Sequence, residues 1–66
     1  MNAYETFCLE NATTFAAVRG ARPATRIRQE FSTMREAKQF GAAFGDCRTM
    51  IYAVTEYGNN AHICNA

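Results

Sequence analysis

The sequence predicts an α+β fold: a small antiparallel sheet, about β-β-β-α-β-β in order, with one helix packed on one face. Three stretches carry that expectation. Residues 33–44 place Thr33 and Glu36 at the spacing of a capping box and then repeat Met34, Ala37, Phe40, Gly41 and Phe44 along one helical face. Residues 25–31 alternate, with Ile27 and Phe31 on one side and Arg26, Arg28 and Glu30 on the other. Residues 49–55 form the most β-prone run of the chain, Thr49-Met50-Ile51-Tyr52-Ala53-Val54-Thr55.

The remaining elements follow in order. Tyr4-Glu5-Thr6-Phe7-Cys8-Leu9 is compatible with a first strand, and Glu10-Asn11-Ala12 turns the chain. Thr14–Arg19 reads as a second strand, although the alanines of residues 12–17 would also suit a helix. Gly20-Ala21-Arg22-Pro23 is a loop, because proline removes a ladder donor and glycine frees the backbone. The alternating run makes the third strand and the capped segment the helix, with Gly45 as its C-cap. Gly41 weakens a helix, and its compensation is close approach to the sheet between Phe40 and Phe44. After the β-prone run, Glu56-Tyr57-Gly58-Asn59 turns and Asn60–Cys64 returns as a last short strand.

Size and charge narrow the functional classes. A chain of 66 residues is one domain, residues 1–66, and buries only about 60% of the surface that its unfolded form exposes. That leaves room for one layer on another and none for a deep substrate cleft, so the chain reads as a non-enzyme. The net charge of +1 hides an uneven distribution. Residues 1–18 carry −2, residues 19–28 carry +4, residues 29–46 carry −1 and residues 47–66 are neutral. The positive field is therefore local and built from Arg19, Arg22, Arg26 and Arg28. Guanidinium forks suit bidentate contact with phosphate or carboxylate. The sign of the cluster argues against a DNA mimic.

The three cysteines, Cys8, Cys47 and Cys64, match no disulfide framework and no CxxC unit. They read as thiols of a reducing compartment, the cytoplasm of a host cell. The chain opens on Met1 without a secretory pattern and reads as a complete short frame. No apolar run approaches the ~20 residues that span a bilayer, so no membrane is expected.

On the predicted hairpin the four arginines form one patch on the sheet face away from the helix. The ordinary alternative is a solvated face, partly neutralised by Glu5 and Glu30, although such faces mix signs and favour lysine. Tyr52 and Tyr57 join the expected contact set, as buried area at a protein interface or as stacking platforms for bases; Tyr4 is a further stacking position, and plain sheet packing is the commoner fate of a strand tyrosine. His62 and Cys64 lie two apart, which in a regular strand puts them on one face. With Cys8 or Cys47 they match no common zinc spacing, and no metal or other cofactor is expected. Glycines 20, 41, 45 and 58 fit no phosphate-binding loop.

Residues Thr25-Arg26-Ile27-Arg28-Gln29-Glu30-Phe31-Ser32-Thr33-Met34-Arg35-Glu36-Ala37 resemble the strand-to-helix step of arm-type DNA-binding domains of phage integrases. That resemblance implies a sheet with a helix on its back that enters the major groove. It covers about a fifth of the chain, and a further hairpin stands where an integrase has its catalytic domain. The whole format, a short sheet-and-helix chain with no enzyme motif, resembles small phage-encoded anti-CRISPR proteins. That resemblance implies occlusion of a surface of a guide-RNA effector complex. The expected partner is a large protein or nucleoprotein complex, such as a CRISPR effector, met by the arginine face. The alternatives are direct DNA or RNA binding by the same face, and a homodimer through an exposed strand edge.

Overall fold

The computed structural model describes all 66 residues. In chain order they form α1 (Ala3–Glu10), β1 (Ala12–Arg19), a short 3-10 turn (Pro23–Thr25), β2 (Ile27–Phe31), α2 (Met34–Ala42), β3 (Met50–Thr55) and β4 (Asn60–Asn65). The sheet has four antiparallel-paired strands in the order β2-β1-β3-β4. β1 runs opposite to both its neighbours, so β2 and β3 are parallel with β1 between them. α2 is thus the crossover of a split β-α-β unit.

The α+β class expected from the sequence is the one observed, with one element exchanged. Residues 4–9 are helical, not a strand. The reason lies just ahead of them. The Asn2 side chain accepts from the Glu5 N–H at 2.8 Å, and the Asn2 N–H donates to the Glu5 carboxylate at 2.9 Å, a full capping box. Glu5, Cys8 and Leu9 then recur at helical spacing as the inward side of α1. Asn11 ends it, donating from both its backbone N–H and its side-chain amide to the Phe7 carbonyl.

The other elements fall close to their expected places, except that Thr25, expected to open the third strand, ends the 3-10 turn and β2 begins at Ile27. Residues 12–19 are a strand despite their alanines, because the flanking strands pair with them along their length. Thr33 caps α2, its hydroxyl oxygen accepting from the Glu36 N–H at 3.2 Å. The Glu36 carboxylate accepts from the hydroxyls of Ser32 and Thr33, each at 3.0 Å, so only half of the expected box forms. α2 ends at Ala42 and is capped by Ala43 rather than by Gly45, and two further turn bonds carry the chain to Gly45, where φ reaches 71°.

Both helices lie on the same sheet face. α1 covers β3 and β4 through Cys8, Ala53 and Ala61, while α2 covers β1 and β3 through Ala37, Ala17 and Ile51, and Phe15 packs against both groups. The core is built from small side chains. Alanines at 17, 37, 53 and 61 let helix axes come close, and Ile51 is the largest fully buried residue. Gly41 is the tightest point. A Cβ there would sit 2.8 Å from Thr49 Cβ and 3.0 Å from Ala66 Cβ, which explains a glycine in mid-helix. The expected close approach occurs at the rim of the sheet, against Thr49 and Ala66 just outside β3 and β4.

Candidate interaction face

Strand alternation decides what the uncovered face carries. In β3, Ile51, Ala53 and Thr55 turn under the helices and are buried, whereas Met50, Tyr52 and Val54 turn outward and are half-buried. Their partners extend the row. Tyr52 stands between Ala16 of β1 and His62 of β4, and Met50 faces Val18, which in turn faces Arg28. Ala16 is fully buried although no helix lies over this face, so its longer neighbours cover it. The Tyr52 ring leans on His62 with centroids 5.7 Å apart, and its hydroxyl reaches the Met50 sulfur at 3.7 Å.

The outcome is an apolar strip, Val18, Met50, Tyr52 and Val54, with a polar margin. A shallow groove of about 300 Å³ is lined by Val18, Arg26, Arg28, Met50, Tyr52 and Asn60. Arg28 is 3.2 Å from Glu30, and Glu30 also accepts from the Thr14 hydroxyl at 2.9 Å. Those two contacts, Thr14 first, hold the Glu30 carboxyl below its usual range. A broader depression of about 450 Å³ runs along the outer side of α2 beside Met34, Arg35, Lys38, Gln39 and Ala42. It is a shallow helix flank without converging polar groups.

The four arginines do not form one patch. Arg19 turns to the helix side, because it follows Phe15 and Ala17 in the alternation of β1. There it grips Asp46 in a two-pronged ion pair at 2.6 and 2.7 Å, donates to the Thr49 hydroxyl at 2.9 Å and lies 3.9 Å over the Phe44 ring. Its bonds to Asp46 raise the Arg19 pKa and hold the Asp46 carboxyl well below the usual carboxylate range, with the Arg48 N–H helping at 3.1 Å. Arg19 is a clasp between β1 and the loop after α2, and so leaves the expected contact set.

Arg22 precedes the 3-10 turn, exposed, with its carbonyl taken by Thr25 and its guanidinium without a partner. Arg26 is exposed at the groove, its side chain tied only by a 3.4 Å contact to the Gly20 carbonyl. Arg28 and Tyr52 occupy the open face as expected. Tyr57 does not join them. It sits in the turn after Thr55, at the sheet end where β3 pairs with Ala12, while Arg26 lies at the opposite end. Tyr4, on α1, donates to the Asn60 carbonyl at 3.0 Å. Met50 joins the face as well, on the side that the alternation of β3 assigns it, while Asn60 and His62 on β4 are placed there by their pairing with Val54 and Tyr52.

His62 and Cys64 also part company. A bulge at Ile63 sets His62 opposite Tyr52 on the open face and Cys64 opposite Ile51 on the covered one. No three His, Cys, Asp or Glu side chains gather as a metal site, and no helix is long and apolar enough to cross a membrane.

Fold and face together define a small α+β domain with two helices on one side of its sheet and the other side uncovered. No protein-family model, curated protein or solved structure matches the chain.

Proposed function

We propose that this chain is a non-catalytic binding protein that lays its open sheet face on an acidic surface of a larger protein or nucleoprotein complex and blocks that surface. The observation that carries the reading is the apolar strip Val18-Met50-Tyr52-Val54 edged by Arg26 and Arg28. An apolar centre with an aromatic anchor and an arginine rim is the anatomy of a protein interface. Arg22, Arg26 and Arg28 supply the complementarity to an acidic partner. Glu30 stands in the same row, where a phosphate chain would meet a repelling carboxylate. The resemblance in format to anti-CRISPR proteins supplies the first partner to try, a guide-RNA effector complex.

The test is capture of such a complex by the tagged protein. Tyr52→Ala combined with Arg26→Ala is expected to weaken capture about tenfold or more, the ~1.4 kcal/mol of a modest interface anchor. Arg35→Ala with Lys38→Ala, on the outer side of α2, is expected to leave it unchanged. Equal capture by all variants overturns the assignment of the face. Binding to bare duplex DNA that falls with salt at a slope near −0.9 per phosphate contact replaces it with the nucleic-acid reading.

A further inference from the structure

The two edges of the sheet are built differently. β4 is bulged at Ile63, and α1 leans on it through the Tyr4 hydroxyl. β2 has neither device. Its register with β1 is unbroken from Arg19 opposite Ile27 to Phe15 opposite Phe31, it contains no proline, and four of its five residues are exposed. A flat edge of this kind offers unpaired N–H and C=O groups to another strand.

We infer that β2 pairs antiparallel with β2 of a second copy of this chain, about a two-fold axis through Gln29. The strand is self-complementary around that point. On the open face Arg28 meets the partner's Glu30, and Glu30 meets the partner's Arg28. On the helix face Ile27, left 46% exposed in the single chain, meets the partner's Phe31. Gln29 meets its own copy. Within each chain Arg28 and Glu30 already lie 3.2 Å apart, so the four side chains make a square of alternating charge. The neighbouring registers lack this fit. Centring on Arg28 or on Glu30 sets like charges face to face, which destabilises a pair. A slip by one residue sets open-face side chains against covered ones.

The axis stands perpendicular to the sheet, so the contact is isologous and closed. It joins two sheets into one of eight strands with both open faces on the same side. The inference shares Arg28 with the docking reading, but Tyr52, the anchor of that reading, has no part in the edge.

Sedimentation equilibrium over a concentration series tests it, with circular dichroism to confirm folding. Wild type is expected to show a monomer–dimer equilibrium. R28E and E30R each set like charges across the axis and are expected to raise the dimer dissociation constant about tenfold or more. An equimolar mixture of R28E and E30R is expected to recover the dimer, as is the double swap R28E/E30R alone. Gln29→Cys in a Cys47→Ser background is expected to cross-link on oxidation, because facing β-carbons of an antiparallel pair come within disulfide reach. A wild type that stays monomeric throughout, or a double swap no better than its single variants, overturns the proposal. Tyr52→Ala should leave every one of these sedimentation results unchanged, which separates failure of the dimer from failure of the docking face.

Discussion

The covered and open faces of this sheet are made by alternate residues of the same strands, yet they follow opposite rules. Under the helices the side chains are small: Ala17, Ala53 and Ala61 are buried because helix backbone comes down to meet them. On the open face Ala16 and Val18 are buried only by longer neighbours, and Met50, Tyr52 and Arg28 are half-exposed or exposed because nothing but other side chains lies over them. The difference teaches where each face has its tolerance. Size is constrained where a helix sits, and chemistry is left to vary where none does.

The strongest test of that contrast is a truncation on each side of β3. Ile51→Ala opens a void beneath α2 and is expected to cost about 3 kcal/mol. A domain of this size holds only about 3–10 kcal/mol in all, so the variant should lose roughly a third or more of its stability. Tyr52→Ala, one residue away on the open side, should lower the unfolding free energy measured by urea titration by no more than about 1 kcal/mol. Equal losses at the two positions break the comparison. Next in size is Gly41→Ala. Helix propensity favours alanine, but its Cβ would press on Thr49 and Ala66. Crowding of that kind costs about 1–3 kcal/mol, so the sign of the change decides which effect wins. A stabilised variant would show that α2 can lift from the sheet without cost.

How far each face was legible follows from these local rules. The alternation of residues 25–31 and the capped run at 33–44 each point to a single type of element, and β2 and α2 form there, although Pro23 draws Thr25 into the 3-10 turn so that the strand starts at Ile27, and α2 stops at Ala42. The spacing of Asn2 and Glu5 was equally readable, but Tyr4–Leu9 also fits a two-residue period, and only the capping bonds and the burial of Cys8 decide for a helix. Among the arginines, sequence proximity misled. Arg19 and Arg28 belong to neighbouring strands but to opposite faces, and the attraction of Asp46, 27 residues on, cannot be seen from spacing along the chain. The same holds for Cys64, which the bulge at Ile63 turns away from His62.

A smaller effect is expected at the first helix cap. Asn2→Ala removes the side-chain acceptor for the Glu5 N–H and should cost about 1 kcal/mol. Hydrogen exchange should place the loss in α1 and its contacts on β4, with α2 keeping its protection. Uniform loss along the chain would mean that the two helices hold the covered face as one unit.

Acid titration sharpens the comparison at the level of single carboxylates. Asp46 sits on the covered side and Glu30 on the open side, and both are held below their usual range, Asp46 by Arg19 and Glu30 by Thr14 and then Arg28. A carboxyl depressed in the folded chain binds its proton first in the unfolded chain. Its contribution is therefore complete above the ordinary carboxylate range, about pH 4, and is lost as pH falls through the folded value. Urea midpoints followed from pH 7 downward should fall below about pH 4 in wild type. Asp46→Asn should flatten that limb more than Glu30→Gln, because the Asp46 carboxylate takes both prongs of Arg19 and the Arg48 N–H together. If Glu30→Gln flattens it as much, the open face contributes to acid stability as strongly as the clasp on the helix side. Charge on the open face would then serve the fold itself.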